Sequence, residues 1–411
     1  MSLFKTIKKC RICKGKIKHL YKYKSTPLGE DFVKKTDKRK QQLIPLNLFI
    51  CKKCYLVQIA EIVNPNLIYE NYLYETKTSI TLDEHFKSYA SKVIKNLNLK
   101  KNDLIVDIGS NDGSLLKYFK KNNCNVVGIE PAKHIAIEAT RNGILTINSF
   151  FNKDCVKNLK KKFGKAKVVT ANNVFANIEN LNEWIKLIKL ILKDDGYFIL
   201  ESFYLGDLIK NKVFDFIYHE HHSAFSLKPI NFLCDKHDLK LIHVEQSVSK
   251  GGSLRYYICN KNFNGFLNLY SINKFKLREK NEKIYYKSTY DKFFDKIEKE
   301  NKNLHDFLKK NNELNIFGFG ASITCITLIY QFSLQKKIKI LFDDNQIKQK
   351  LLSPRDRIPI KSLMNNKNQK NSILLILAWR YSDLIIKRHK KILKNFKYVI
   401  QLMPKFKKIK I

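Results

Sequence analysis

Apolar and polar positions along the 411 residues fall into two periodic stretches, set among less regular segments. From about residue 76 to 275, short apolar runs alternate with amphipathic stretches. The runs are Leu104-Ile105-Val106, Val126-Val127-Gly128-Ile129, Val168-Val169-Thr170 and Tyr197-Phe198-Ile199-Leu200. Runs of this length between helical patterns read as buried strands of βαβ units, which predicts a mostly parallel sheet. Residues 276–310 scatter Tyr285, Tyr290, Phe293, Phe294, Ile297, Leu304 and Phe307 through Lys and Glu, which predicts helix. A second α/β pattern follows. Leu314-Asn315-Ile316-Phe317 enters Gly318-Phe319-Gly320-Ala321-Ser322, Ile338-Lys339-Ile340-Leu341-Phe342 ends in Asp343-Asp344, and Ile373 to Trp379 reads as one more buried strand. The first 75 residues lack such periodicity and carry a turn signal at Thr26-Pro27-Leu28-Gly29. The expectation is an α/β protein in three parts: an irregular module over 1–75 and two Rossmann-like domains over 76–275 and 276–411.

Composition agrees with a large buried interior, since 44% of residues are hydrophobic and 12% aromatic. No run of 18 apolar residues occurs, so a spanning helix is not expected, and the N-terminus lacks a secretory apolar core. The formal charge of +41 invites a polyanion partner. Its lysines, however, spread through every segment together with Asn and Ile, without the clustering of an electrostatic footprint. Nucleic acid is therefore disfavoured, and a cytoplasmic protein with no membrane partner is expected; a monomer is plausible, and the sequence leaves the oligomeric state open.

Four of the nine cysteines form two C-x2-C knuckles, Cys10-Cys13 and Cys51-Cys54. Two such turns supply four thiolates for a closed tetrahedral site, which predicts a structural zinc ion with no position left for water. A redox dithiol would instead open a helix after a strand.

The strand ending in Asp107 passes through Gly109-Ser110-Asn111-Asp112-Gly113 and resumes as helix. Gly109 and Gly113 permit close backbone approach to a ligand at the carboxyl edge of a sheet. The run is D-x-G-x-x-x-G, not the G-x-G-x-x-G of a pyrophosphate cradle, and its acid suits a cationic sulfonium nucleoside. Glu130 closes the next strand, 23 residues after Asp107, where a ribose diol needs an acceptor. Asn111, Asp112 and Pro131 flank these acids. Ser149 and Phe150 stand where an adenine would lie, and Phe150 equally suits a core.

Read in order, CRICKG with PLGEDF, CKKCYLVQI, NYLYETKTSITLDEHFKSYA, VDIGSNDGSLL, GIEPA, ANNVFANI, FDFIYHEHHSAFS, KGGSLR, FGFGAS, FDDNQIKQ and LAWR resemble the three-domain sugar C-methyltransferases along nearly the whole chain. The resemblance implies an N-terminal zinc module, a middle class I methyltransferase domain binding S-adenosylmethionine, and a C-terminal domain that grips a nucleotide sugar. It implies cofactor contacts at Asn172 and Asn173 and a catalytic base at His221, with Glu220 and Tyr218 beside it and Tyr72 and Tyr74 lining the site. Carbon methylation next to a ketone needs such a base, and imidazole is the side chain best matched to neutral pH. His219 and His222 stay undecided. The same Tyr218–His222 cluster also fits a polar loop. Gly252, Ser253 and Arg255 read either as an anion-binding turn or as a hairpin with an exposed Arg. Ser322 and Trp379 are further substrate candidates, with core packing the alternative for Trp379. Family members commonly carry His, Lys and Asn where this chain has Asn177, Thr324 and Arg380. Two rivals remain: O- or N-methylation of another small metabolite, and a zinc-ribbon RNA methyltransferase or RNA-binding protein.

Overall fold

A computed structural model describes residues 3–69, 82–247, 249–365 and 369–410. The N-terminal segment forms an antiparallel sheet whose strand order is Ser223–Ala224, Val57–Ile59, Ile44–Cys51, Ile17–Thr26. Ile44–Cys51 alternates, burying Ile44, Leu46, Leu48 and Ile50, as a half-buried strand must. The last strand of this sheet comes from far along the chain: Ser223 pairs with Gln58 and Ala224 with Val57.

The middle region holds a seven-stranded sheet. Its order is Leu239–Ser247, Ser253–Asn260, Leu192–Phe203, Ala166–Asn172, Leu104–Ile108, Asn125–Glu130, Thr146–Asn148. Five strands run parallel. Ser253–Asn260 is antiparallel to both of its neighbours. Leu104–Ile108 is buried at every position because helices cover both faces of a parallel sheet. From this strand the chain first builds outward on one side, then returns to Ala166–Asn172 on the other. That reversal opens a crevice at the carboxyl ends of the two strands, where Asp107 and Asn172 stand.

The third sheet runs Ile360–Lys361, Ile338–Phe342, Asn315–Phe319, Ser372–Ile376, Tyr398–Gln401, Lys407–Ile409, parallel except at its last pair. The expected helix over 276–310 is two helices, Leu269–Asn281 and Lys287–Lys309. Trp379 is not in a strand: the strand ends at Ile376, and Trp379–Tyr381 is a short 3-10 turn.

The N-terminal module is pinned to the C-terminal region. Tyr21 stacks on Phe294 with ring centroids 3.5 Å apart, and Lys24 donates to the Gln331 carbonyl at 2.8 Å. Lys348 pairs with Glu30 at 3.0 Å.

Candidate active site

A cavity of about 400 Å³ lies in the crevice. Its sheet-edge wall contains Asp107, Gly109, Asn111, Glu130, Pro131, Ser149, Phe150, Asn172 and Asn173, nine of the eleven positions read as cofactor contacts. The other two, Asp112 and Gly113, shape the loop without lining the cavity. Asp112 Oδ1 accepts the Ser114 N–H at 3.0 Å. Gly113 has φ +76°, and a Cβ there would meet Ile144 at 2.8 Å, so only glycine fits without strain.

The two acids are held differently. Asp107 Oδ1 accepts from Thr170 Oγ1 at 2.6 Å and Asn172 Nδ2 at 3.3 Å. Burial pushes its carboxyl up to about 7 despite these two lowering hydrogen bonds. Glu130 accepts the Asn111 N–H at 3.0 Å on one oxygen and the Ala132 N–H at 2.9 Å on the other. Its carboxylate plane is therefore fixed while lone pairs remain for a ligand.

Beside these acids, the buried carbonyl oxygens of the Asn172 and Asn173 side chains have no hydrogen-bond partner. Unpaired acceptors buried together call for a ligand rich in donors. A nucleoside with ribose hydroxyls and an ammonium group fits this set, and a pyrophosphate does not.

Further along, the cavity wall is made by Glu220, His222 and Lys250, with Val63, Pro65 and Ile68 from the N-terminal segment. Burial, and after it the Glu30 carboxylate, push the Glu220 carboxyl up to about 8. His221 stands in the same buried loop but does not line the cavity. Its Nδ1 bonds the Phe216 carbonyl at 2.7 Å, which requires an N–H there. The lone pair is thereby left on Nε2, which receives the Tyr218 hydroxyl at 2.9 Å. Phe203 packs at 4.7 Å, Tyr218 stacks at 4.0 Å, and burial pushes the imidazole down to about 3. His221 is thus a neutral imidazole of fixed tautomer. His219 serves the scaffold: its Nε2 bonds the Pro45 carbonyl at 3.0 Å. Tyr72 and Tyr74 lie outside the described residues.

The substrate candidates sit elsewhere in the fold. The Arg255 guanidinium is consumed by Glu201, at 2.7 and 3.0 Å, and by Glu245 at 2.8 Å, and lies 3.6 Å from the Tyr89 ring centroid. It is neither an exposed hairpin Arg nor an anion ligand. Burial alone would raise the Glu201 carboxyl, but Arg255 and His85 hold it down to about 2. Arg255→Leu should therefore destabilise the protein by about 3–5 kcal/mol, because Glu201 loses its main counter-ion in a fully buried place. Urea unfolding measures this, and unchanged stability would refute it.

Gly252 has φ +119°, and a Cβ there would meet Asp207 at 2.5 Å. The Ser253 hydroxyl is taken by the Ser249 carbonyl, and Ser322 caps the helix Ile323–Gln331 by accepting from the Cys325 N–H. The Trp379 indole donates to Asp215 at 3.0 Å from a buried position, so it packs rather than stacking on a base. Thr324 and Arg380 turn out to be partners. Arg380 reaches Thr324 Oγ1 at 3.1 Å while pairing with Asp215 at 2.7 Å, so a cation reaches the Thr324 side chain from another segment.

The two knuckles converge. Cys10 and Cys54 sulfurs are 3.4 Å apart, Cys13 and Cys51 sulfurs 3.3 Å, and all four lie within 4.8 Å of one another. A tetrahedral zinc with bonds of about 2.3 Å needs sulfurs about 3.8 Å apart, so the set fits. Between the cysteines, Arg11 donates to the Ile59 carbonyl at 2.7 Å and the His222 carbonyl at 3.1 Å. The metal module thus braces the Tyr218–His222 loop directly.

Comparison with known proteins gives three family profiles in succession: a zinc-binding domain over residues 10–69, a methyltransferase domain over 82–244 and a C-methyltransferase C-terminal domain over 248–404. The chain is an S-adenosylmethionine-dependent methyltransferase. Its four-cysteine cluster is the structural zinc site of the first profile. Over 398 residues the methyltransferase is 27% identical to the C-methyltransferase NovU of Streptomyces niveus, covering 96% of this chain and 94% of that protein. Among solved structures it is similar to the magnesium protoporphyrin IX methyltransferase of Synechocystis PCC 6803 with bound S-adenosylhomocysteine. That match has TM-score 0.35 and 14% identity, over 44% of this chain and 83% of that one. An S-adenosylmethionine-dependent methyltransferase from Clostridium acetobutylicum ATCC 824 gives TM-score 0.35 and 12% identity, over 47% and 94%.

Sequence reasoning missed Lys250 and the apolar wall from Val63 to Ile68. Lys250 immediately precedes the Gly251-Gly252 turn, which was a usable signal. The apolar residues gave none, because they resemble any core.

Proposed function

We propose that the methyltransferase alkylates the carbon next to the ketone of a nucleotide-linked 4-keto-deoxysugar, with His221 as the base. The observation that carries this reading is the state of His221. Its Nδ1–H is committed to the Phe216 carbonyl, and its basic Nε2 is held by the Tyr218 phenol. The lone pair of Nε2 faces the Tyr218 hydroxyl, so the proton from carbon passes to the phenol oxygen as the phenol passes its own proton to Nε2. Removal of the proton leaves an enolate, whose oxygen the Tyr218 hydroxyl can stabilise by donation once Nε2 has taken the proton. S-adenosylmethionine, when bound, supplies an electrophilic methyl group. Asp107, Glu130, Asn172 and Asn173 hold and orient it by accepting hydrogen bonds, and the apolar wall excludes water. The 27% identity to a C-methyltransferase across both chains supports carbon as the acceptor atom.

Labelled S-adenosylmethionine offered with a panel of nucleoside-diphosphate 4-keto-deoxysugars should give a product whose new methyl is bonded to carbon. His221→Ala should bind S-adenosylhomocysteine as the wild type does, and lose about 10²–10⁴-fold in turnover. A methyl found on oxygen or nitrogen, or an active His221→Ala protein, would end this reading.

A further inference from the structure

The short 3-10 turn Phe214–Phe216 carries the carbonyl that orients His221, since Phe216 O accepts the His221 Nδ1–H at 2.7 Å. A turn of three residues has few hydrogen bonds of its own, so its position is set by what packs against it. Each of the three residues is gripped from a distant part of the chain. The Phe214 ring stacks on Phe332 at 5.5 Å, and the Phe214 carbonyl accepts the Tyr23 hydroxyl at 3.3 Å. Asp215 is fully buried, and its Oδ2 accepts from Trp379 Nε1 at 3.0 Å and from Arg380 Nη1 at 2.7 Å. Its Oδ1 has no hydrogen-bond partner, and among the described residues Arg380 is the only cation paired with it. The Phe216 ring lies 4.5 Å from the Arg380 guanidinium on one side and 5.6 Å from the His221 ring on another.

Arg380 reaches this turn from the C-terminal region. It sits in the 3-10 turn that follows the third sheet's strand Ser372–Ile376, and its Nη2 donates to Thr324 Oγ1 at 3.1 Å. Gly251 leaves room for its stem, because a Cβ there would stand 3.2 Å from Arg380 Cδ. We propose that Arg380 is a positioning residue for His221: it clamps Asp215 and the Phe216 ring, and so holds the carbonyl that sets the imidazole tautomer. Two grips on adjacent residues fix both the backbone of the turn and the direction of its last carbonyl. Without them the carbonyl can rotate away from Nδ1, and the ring is free to take the other tautomer. In that tautomer Nε2 carries the proton and cannot accept one from Tyr218. Arg380 acts through the turn and not by touching a reactant. The inference rests on the proposed function only in taking His221 as the base.

Arg380→Gln removes the clamp. Turnover of the keto-sugar should fall about 30–100-fold, while the KM for the sugar and the affinity for S-adenosylhomocysteine stay within about threefold of wild type. Nuclear magnetic resonance of protein with isotope-labelled histidine reads the ring directly, with the His221 signals assigned by their absence from His221→Ala. They should change from a single Nδ1–H tautomer in the wild type to a mixture in Arg380→Gln. Arg380→Lys keeps a charge beside Asp215 and should regain about fivefold or more of the lost turnover. If the unpaired Asp215 charge stops Arg380→Gln from folding, the paired variant Arg380→Gln with Asp215→Asn buries no lone charge and carries the same readouts. Unchanged turnover, or lost turnover with His221 still in one tautomer, would overturn the inference. A rise in KM alone would do the same, because it would make Arg380 a substrate contact. If the wild type methylates no member of the panel, the keto-sugar reading fails by itself. The His221 tautomer in Arg380→Gln then still decides whether the clamp exists.

Discussion

Cys51→Ser should yield protein without zinc and without methyl transfer. Cys51 closes the strand Ile44–Cys51, and its sulfur is one corner of the four-cysteine set. Structural zinc sites of this kind contribute about 10–16 kcal/mol of apparent binding energy in small domains. Three thiolates with a serine hydroxyl make a far weaker site. The damage should not stop at the metal. Arg11, between Cys10 and Cys13, holds the carbonyls of Ile59 and His222, and Asn182 donates back to the Arg11 and Ile12 carbonyls at 2.9 and 3.0 Å. Loosening the knuckle therefore loosens the loop that carries Glu220, His221 and His222. Metal content by plasma spectrometry, the unfolding temperature and turnover should fall together. Full activity in a zinc-free protein would show that the brace is dispensable.

Glu130→Ala should weaken S-adenosylhomocysteine binding by about 10²–10³-fold, since a buried, backbone-oriented carboxylate is lost and two N–H groups are left unpaired. Asp107 adds a pH dependence whose sign follows from its raised carboxyl. In the ligand-free protein the group takes up a proton as pH falls through about 7, and the neutral acid no longer attracts a cation. A cationic cofactor favours the ionised form, so its affinity should rise with pH across this range and level off above it. Asp107→Asn should bind weakly and lose that slope. Calorimetry at several pH values decides, and a wild-type profile that is flat from pH 6 to 8 would remove Asp107 from the cofactor contacts.

The cofactor edge was legible because strand, turn and acid are local in sequence. Asp107 and Glu130 each close an apolar run, and the cavity receives both. The cysteine knuckles were legible for the same reason. Arg255 was not, since its partners Glu201 and Glu245 lie on neighbouring strands of the sheet, and pairing across strands leaves no trace in spacing. Trp379 was misplaced because an apolar run does not announce the residue at which strand becomes turn. His222 looked like one of three similar histidines. Only the hydrogen bonds separate the scaffold ring of His219 from the fixed tautomer of His221, and only the cavity lining singles out His222.

The strand Ser223–Ala224 also constrains how the polypeptide is made. The N-terminal sheet reaches its final width only after residue 224 has left the ribosome, more than 160 residues after its other strands have emerged. Until then the nascent chain presents Val57–Ile59 as an open apolar edge, the kind of surface that chaperones shield and that neighbouring chains can capture. An expression fragment that stops short of Ser223 inherits that open edge permanently.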